Sequence, residues 1–161
     1  MRCLIIYKSI HHGNTRKVAE AIAEVLNAEL VRPQEINPEE ILSCDLTGFG
    51  SGIYYFQHHR ELLKLVERLP EVRGRKAFIF STAGINLPFI YHRKLRKKLS
   101  EKGFEIIGEF SCRGWDTYGL FGKLGGISKG HPDERDLENA RKFAEKIKEN
   151  FRRFCVRRDP Q

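Results

Sequence analysis

A short apolar run that breaks into a polar turn and then into helix-spaced apolar residues constrains this chain more than any other feature. Cys3-Leu4-Ile5-Ile6-Tyr7 reads as a buried strand and Lys8-Ser9-Ile10-His11-His12-Gly13-Asn14-Thr15 as the turn. Val18, Ile22, Val25 and Leu26 follow at helical spacing. The first N–H groups of such a helix have no partner within it, and the helix dipole adds positive potential at the same point. An anion can therefore replace water there. One glycine is too few for the G-x-G-x-x-G pattern of dinucleotide folds, and no Gly-Lys-Ser/Thr follows as in a Walker loop. What remains is a turn rich in side-chain donors (Ser9, His11, His12, Asn14, Thr15), suited to a single terminal phosphate. The plainer alternative is an ordinary strand-to-helix turn capped by Asn14 or Thr15.

Strand and helix signals alternate along the rest of the chain, which predicts a parallel sheet with crossover helices. Ala28–Val31 is a second strand, and Pro38 opens a turn of helix through Leu42. Asp45–Gly50 is a third strand, running into Ser51-Gly52-Ile53-Tyr54-Tyr55 and then a helix with Leu62, Leu63, Val66 and Leu69 that Pro70 ends. Lys76–Phe80, strongly apolar, is a central fourth strand that runs into Ser81-Thr82-Ala83-Gly84. A basic helix over Tyr91–Lys102 stops at Gly103, and Phe104–Cys112 is the fifth strand. A glycine-rich loop, Arg113–Pro132, precedes a last helix whose Leu137, Ala140, Phe143, Ala144, Ile147 and Phe151 form one stripe. The fold class is α/β: a three-layer α/β/α sandwich on a five-stranded parallel sheet. In such sheets ligands bind beyond the carboxyl ends of the strands. That gathers the loops at 9–15, 51–55, 81–84 and 112–119 on one rim.

At 161 residues the chain reads as one domain, with the basic segment 152–161 as a tail that frays. Nothing in it approaches a membrane span, and the first strand begins too early to leave room for a signal peptide. Cys3, Cys44, Cys112 and Cys155 are scattered without a C-x-x-C pair, so reduced thiols in a cytoplasmic protein are expected. The net charge of +8 lies largely in Arg93-Lys94-Leu95-Arg96-Lys97-Lys98 and the tail. No nucleic-acid motif accompanies either run, so both read as solvated surface.

Together the four loops resemble the flavodoxin family over essentially the whole chain. Gly13-Asn14-Thr15 matches the end of that family's phosphate loop, although His11 and His12 stand where hydroxyl residues are usual. Residues 45–55 and 81–84 occupy the positions of its two flavin-ring loops. The runs 112–119 and 125–132 are similar to ones in a less characterised branch. The resemblance implies strand order 2-1-3-4-5 and non-covalent FMN. The phosphate would lie at Ser9, His11, His12, Gly13, Asn14 and Thr15. The ring would lie against Gly52, Ile53 and Tyr54 on one side and Ser81, Thr82, Ala83 and Gly84 on the other. Tyr54 is the expected stacking partner, with Ile53 or Tyr55 as the fallback, and Trp115 and Tyr118 are expected to close over the ring or ribityl chain.

Two departures from the family pattern shape the functional expectation. Tyr55 stands where flavodoxins that stabilise one-electron-reduced flavin usually carry glycine, and a non-glycine residue resists positive φ. The rim also collects His11, His12, His58, His59, Arg60, Arg93 and Arg113, where the familiar carriers are acidic. Positive charge beside the ring eases the two-electron-reduced anion. The expected function is FMN-based electron transfer between a reductase or ferredoxin and an unidentified acceptor, with an acidic redox protein as partner. One alternative is a two-electron reductase of a quinone or similar small oxidant. Another is a flavin-free binding module that uses the basic face. The histidine pairs offer no complete metal site, since adjacent histidines point apart, and His58-His59 is expected at the surface. Cys112 is expected to be a buried, unreactive residue.

Overall fold

The structure is a computed structural model that describes residues 1–118 and 120–157. Five strands run parallel: β1 (Cys3–Lys8), β2 (Glu29–Val31), β3 (Leu46–Tyr54), β5 (Arg75–Ala83) and β6 (Phe104–Arg113). Their order is β2-β1-β3-β5-β6, which is 2-1-3-4-5 when the parallel strands alone are numbered. The two-residue β4 (Gln57–His58) folds back antiparallel on the end of β3.

Alternate residues of each central strand serve opposite layers, because successive Cβ atoms leave the sheet on opposite sides. Leu4, Ile6, Phe49, Ala77 and Ile79 pack with Leu62 and Val66 of α2 (Arg60–Arg68) and with Leu95 and Leu99 of α4 (Arg93–Glu101). Cys3, Ile5, Phe78 and Phe80 pack with Val18 and Ile22 of α1 (Asn14–Leu26) and with Ala140, Ala144 and Ile147 of α6 (Glu134–Val156). Gly48 and Gly50 on β3 make the second layer possible. A Cβ at either would sit 2.3 Å from the ring of Phe78 or Phe80 on the neighbouring strand.

The basic helix is split. Pro88 opens a single turn, α3 (Pro88–Tyr91), and α4 starts after His92, whose N–H donates to Pro88 O at 2.9 Å. It ends at Gly103, where φ is +94°. The loop 113–132 has structure of its own: Asp116 and Ile127 exchange backbone hydrogen bonds around α5 (Leu120–Lys123). The last helix is capped by Asp133 and Asp136 in a reciprocal capping box and stays helical through Val156, inside the stretch read as tail. The remainder of that stretch, 158–161, lies outside the described residues.

Candidate functional site

A cavity of about 300 Å³ opens where the loops leave the carboxyl ends of the sheet, within the size range of small-molecule sites. One wall comes from the turn between β1 and α1. His12 and Gly13 both take left-handed conformations (φ +54° and +65°), which wind the chain directly into the helix. Ser9 Oγ accepts from Arg16 N at 3.2 Å, and Thr15 Oγ1 meets Thr82 Oγ1 at 2.9 Å. Asn14 Nδ2 donates to Trp115 O at 2.8 Å, while its Oδ1 is buried without a hydrogen-bond partner among the described residues. His12 turns away and stacks on Trp115, with centroids 3.9 Å apart.

The opposite wall is the β3–β4 hairpin. Tyr54 pairs with Gln57, so Tyr55 and Phe56 form a two-residue turn, with φ +51° and +63°. That is the type I′ geometry whose twist suits a hairpin. The expectation that a non-glycine residue here would avoid positive φ is therefore overturned; the hairpin imposes the conformation. Tyr54 is half-buried and meets the His59 ring edge-on at 5.1 Å. Burial first, then the nearby Asp116 charge, pushes its phenol above the usual value.

The third wall is Thr82, Ala83, Gly84 and Ile85, with Tyr91 beyond. Gly84 lies against the 113–132 loop so closely that a Cβ would stand 2.6 Å from Ile127 Cγ2 and 2.9 Å from Asp116 Cβ. Gly114, Trp115, Asp116, Tyr118 and Phe121 complete the enclosure. Asp116 Oδ1 accepts from Tyr118 N at 2.8 Å, and the Tyr118 and Tyr55 hydroxyls meet at 3.0 Å across the mouth.

Of the residues singled out from sequence, His11, Asn14, Thr15, Gly52, Ile53, Tyr54, Thr82, Ala83, Gly84, Trp115 and Tyr118 all line this cavity. Ser9, His12 and Gly13 lie in the turn without lining it. Ser81 is buried one residue before the lining segment. The sequence reading missed Ile10, Phe56, Ile85, Tyr91, Gly114, Asp116 and Phe121, and used Tyr55 only as a fallback. Most adjoin residues it named; Asp116 sits directly after Trp115, and that adjacency was the available signal.

Two electrostatic expectations change. His58 is not at the surface: the hairpin turns it inward to 1% exposure, where its Nε2 bonds Phe80 O at 3.1 Å. Burial, helped by the neighbouring His92, pushes its pKa down to about 3, so it is uncharged at neutral pH. Among the described residues the cavity lining contains no lysine or arginine but does contain Asp116. The positive rim therefore stands back from the cavity, because Arg60, Arg93 and Arg113 extend into solvent. Cys112 behaves as expected. It is buried, and burial pushes its thiol up to about 12.

A parallel sheet of this order, with a donor-rich turn leading into a helix and an aromatic-walled cavity at its switch point, is the architecture of a flavodoxin-like α/β domain. The flavodoxin domain family matches residues 4–114 of the sequence. An uncharacterised protein of the archaeon Methanocaldococcus jannaschii is 48% identical over 153 residues, covering 93% of this chain and all of that one. Among solved structures, a flavodoxin from the domain Archaea superposes with a TM-score of 0.69 at 18% identity, covering 94% of this chain and 99% of its own. Oxidised flavodoxin 2 from Bacillus cereus superposes at 0.72 with 21% identity, covering 92% and 99%. The chain belongs to the flavodoxin family, which comprises FMN-binding electron-transfer proteins.

The residues present fit FMN. The turn at 9–15 carries no carboxylate and opens onto a helix N-terminus, as a dianionic phosphate requires. Asn14 Oδ1 is an unpaired buried acceptor lining the cavity, suited to a hydroxyl of the cofactor. Tyr54 and Thr82–Gly84 line the same cavity at the ends of different strands, the positions a planar ring would lie against.

Proposed function

We propose that the chain holds FMN in this cavity and exchanges electrons with an acidic redox protein that docks over its mouth. Bound FMN supplies reversible one- or two-electron chemistry; the protein supplies position and electrostatics. In this reading the α1 N-terminus with His11, Asn14 and Thr15 holds the phosphate and ribityl chain. Tyr54 stacks on the ring, backbone groups of Gly52, Ile53, Thr82 and Gly84 meet its edges, and Trp115 and Tyr118 cover it.

The observation that carries the proposal is the surface around the mouth. Tyr55, Phe56, Phe89, Leu120 and Leu124 are each at least 67% exposed, on three chain segments that each contribute residues to the cavity lining. Exposed apolar side chains concentrated in this way mark a contact surface. Around them, residues 54–61, 84–94 and 113–131 carry six lysines and arginines (Arg60, Arg93, Lys94, Arg113, Lys123, Lys129) against Glu61 and Asp116. A partner with an apolar centre and a carboxylate rim complements both features.

Purified protein, reconstituted with FMN if necessary, should show bound-flavin absorbance and should accept electrons from a reduced ferredoxin in stopped-flow mixing. A chain that leaves FMN in the filtrate sinks the proposal. The apolar lining of Phe56, Ile85, Tyr91 and Phe121 favours a second reading, in which a quinone-like oxidant enters beside the flavin. Steady-state quinone reduction faster than electron transfer to ferredoxin would select that reading.

A further inference from the structure

Behind the third wall lies a buried polar chain that plays no part in holding the cofactor. His92, fully buried between α3 and α4, meets Ser81 Oγ through Nε2 at 2.7 Å. Its Nδ1 lies 3.6 Å from Glu109 Oε2 on β6, just beyond hydrogen-bond length. Arg96 of α4 grips the same carboxylate with two hydrogen bonds, at 2.6 and 2.7 Å. His58 on β4 stands beside the ring, with centroids 5.1 Å apart. Among the described residues, Ser81, Glu109, Arg96 and His58 are the titratable or polar groups that the surrounding elements present around His92.

We propose that His92 is a positioning residue for charge at this site: it takes up a proton from solvent each time electrons enter the cavity, and Glu109 holds that proton in place. The inference rests on the FMN reading above. His92 stands one residue behind the cavity lining at two points. Ser81 precedes Thr82, and Tyr91 precedes His92, and both Thr82 and Tyr91 line the cavity. Negative charge arriving in a low-dielectric pocket raises the proton affinity of a nearby base. Of the two buried histidines among the described residues, His92 is the one with a carboxylate within 4 Å. Glu109 and Arg96 already cancel one another, so the new proton is balanced by the new charge in the cavity. Glu109 is 26% exposed and gives the proton a way in. The electrons come from the redox partner and the proton from water. One N–H bond forms on the imidazole, and reoxidation reverses both transfers.

The test uses the FMN-loaded protein. Nitrogen-resolved NMR titration of the His92 imidazole is run in the oxidised and the dithionite-reduced states. Midpoint potentials from pH 5 to 9 are measured for the wild type, His92→Gln and Glu109→Gln. Proton affinity at His92 should be about tenfold higher in the reduced protein. By linkage the same tenfold displaces the potential between the pH limits by about 30 mV for a two-electron couple. His92→Gln should lose that displacement, and Glu109→Gln should shrink it. An unshifted His92 titration in loaded protein, or a wild-type potential curve in His92→Gln, overturns the proposal alone. A protein that binds no FMN overturns it together with the cofactor reading. If His92→Gln does not fold, the wild-type titration decides.

Discussion

Asp116 sets the local field of the cavity, since it is the carboxylate among the lining residues while the basic groups stand outside. A negative charge beside a flavin opposes addition of further negative charge. Asp116→Asn should therefore raise the midpoint potential at neutral pH. The size follows from a unit charge about 10 Å away in a medium of effective dielectric constant about 20, roughly 1–2 kcal/mol. Spectroelectrochemistry of the FMN-loaded variant reads this directly, and an unchanged or lower potential contradicts it. Tyr55 and Phe56 sit in left-handed backbone, which costs on the order of 1–2 kcal/mol at a non-glycine residue. Replacing them by Asn-Gly, the pair a type I′ turn prefers, should raise the thermal midpoint by several degrees. The same change removes two exposed rings, so flavin retention and partner docking should weaken while stability rises. Loss of stability in Tyr55→Asn/Phe56→Gly would show that these rings pack more than their exposure implies.

Elements with clear hydrophobic periodicity were legible from sequence, and the one that was hidden carries an unusual pair of turn residues. The five parallel strands and the stripe of α6 follow from apolar runs and spacing, whereas the strand order follows only from the resemblance of the loops to a known family. The hairpin at 54–58 does not, because its turn is built from Tyr-Phe where Asn-Gly is the usual signal. With the hairpin unseen, His58 read as a surface residue, and the lining contributed by Phe56 and Tyr91 was missed as well. That hairpin also predicts an acid response. His58 has its folded pKa pushed down to about 3, so between the ordinary histidine value of 6.5 and 3 the unfolded chain binds more protons than the folded one. Stability is therefore present above pH 6.5 and lost as the pH falls toward 3. Glu109 acts in the same direction over a lower window. Burial raises its pKa, but the nearby His92 imidazole and the two Arg96 hydrogen bonds outweigh burial and hold it at about 2, so its contribution is lost between 4.5 and 2. Urea denaturation at pH 7 and pH 5 should show a loss of one to a few kcal/mol that His58→Gln largely abolishes. An equal loss in the variant would place the acid sensitivity elsewhere.

At the scale of the whole molecule, charge and apolar surface act at different ranges. A chain of net charge +8 attracts an acidic partner over distances that salt controls, the Debye length being about 10 Å at 0.1 M. The apolar ring around the cavity acts only on contact, through area removed from water. Association rate and complex lifetime should therefore separate. Raising ionic strength from about 20 mM to 0.5 M should slow bimolecular electron transfer with an acidic ferredoxin by roughly 10- to 100-fold, as steered encounters do. Phe89→Ser, at a side chain 75% exposed on the rim, should leave that salt slope intact and shorten the complex instead. Charge reversal at Arg93 and Lys94 should flatten the slope while leaving the flavin spectrum unchanged, since neither residue lines the cavity. A rate that does not respond to salt, or that rises with it, would mean that the basic rim repels or ignores the partner. The apolar mouth would then be serving a small neutral oxidant, and steady-state turnover with a quinone should be the faster reaction.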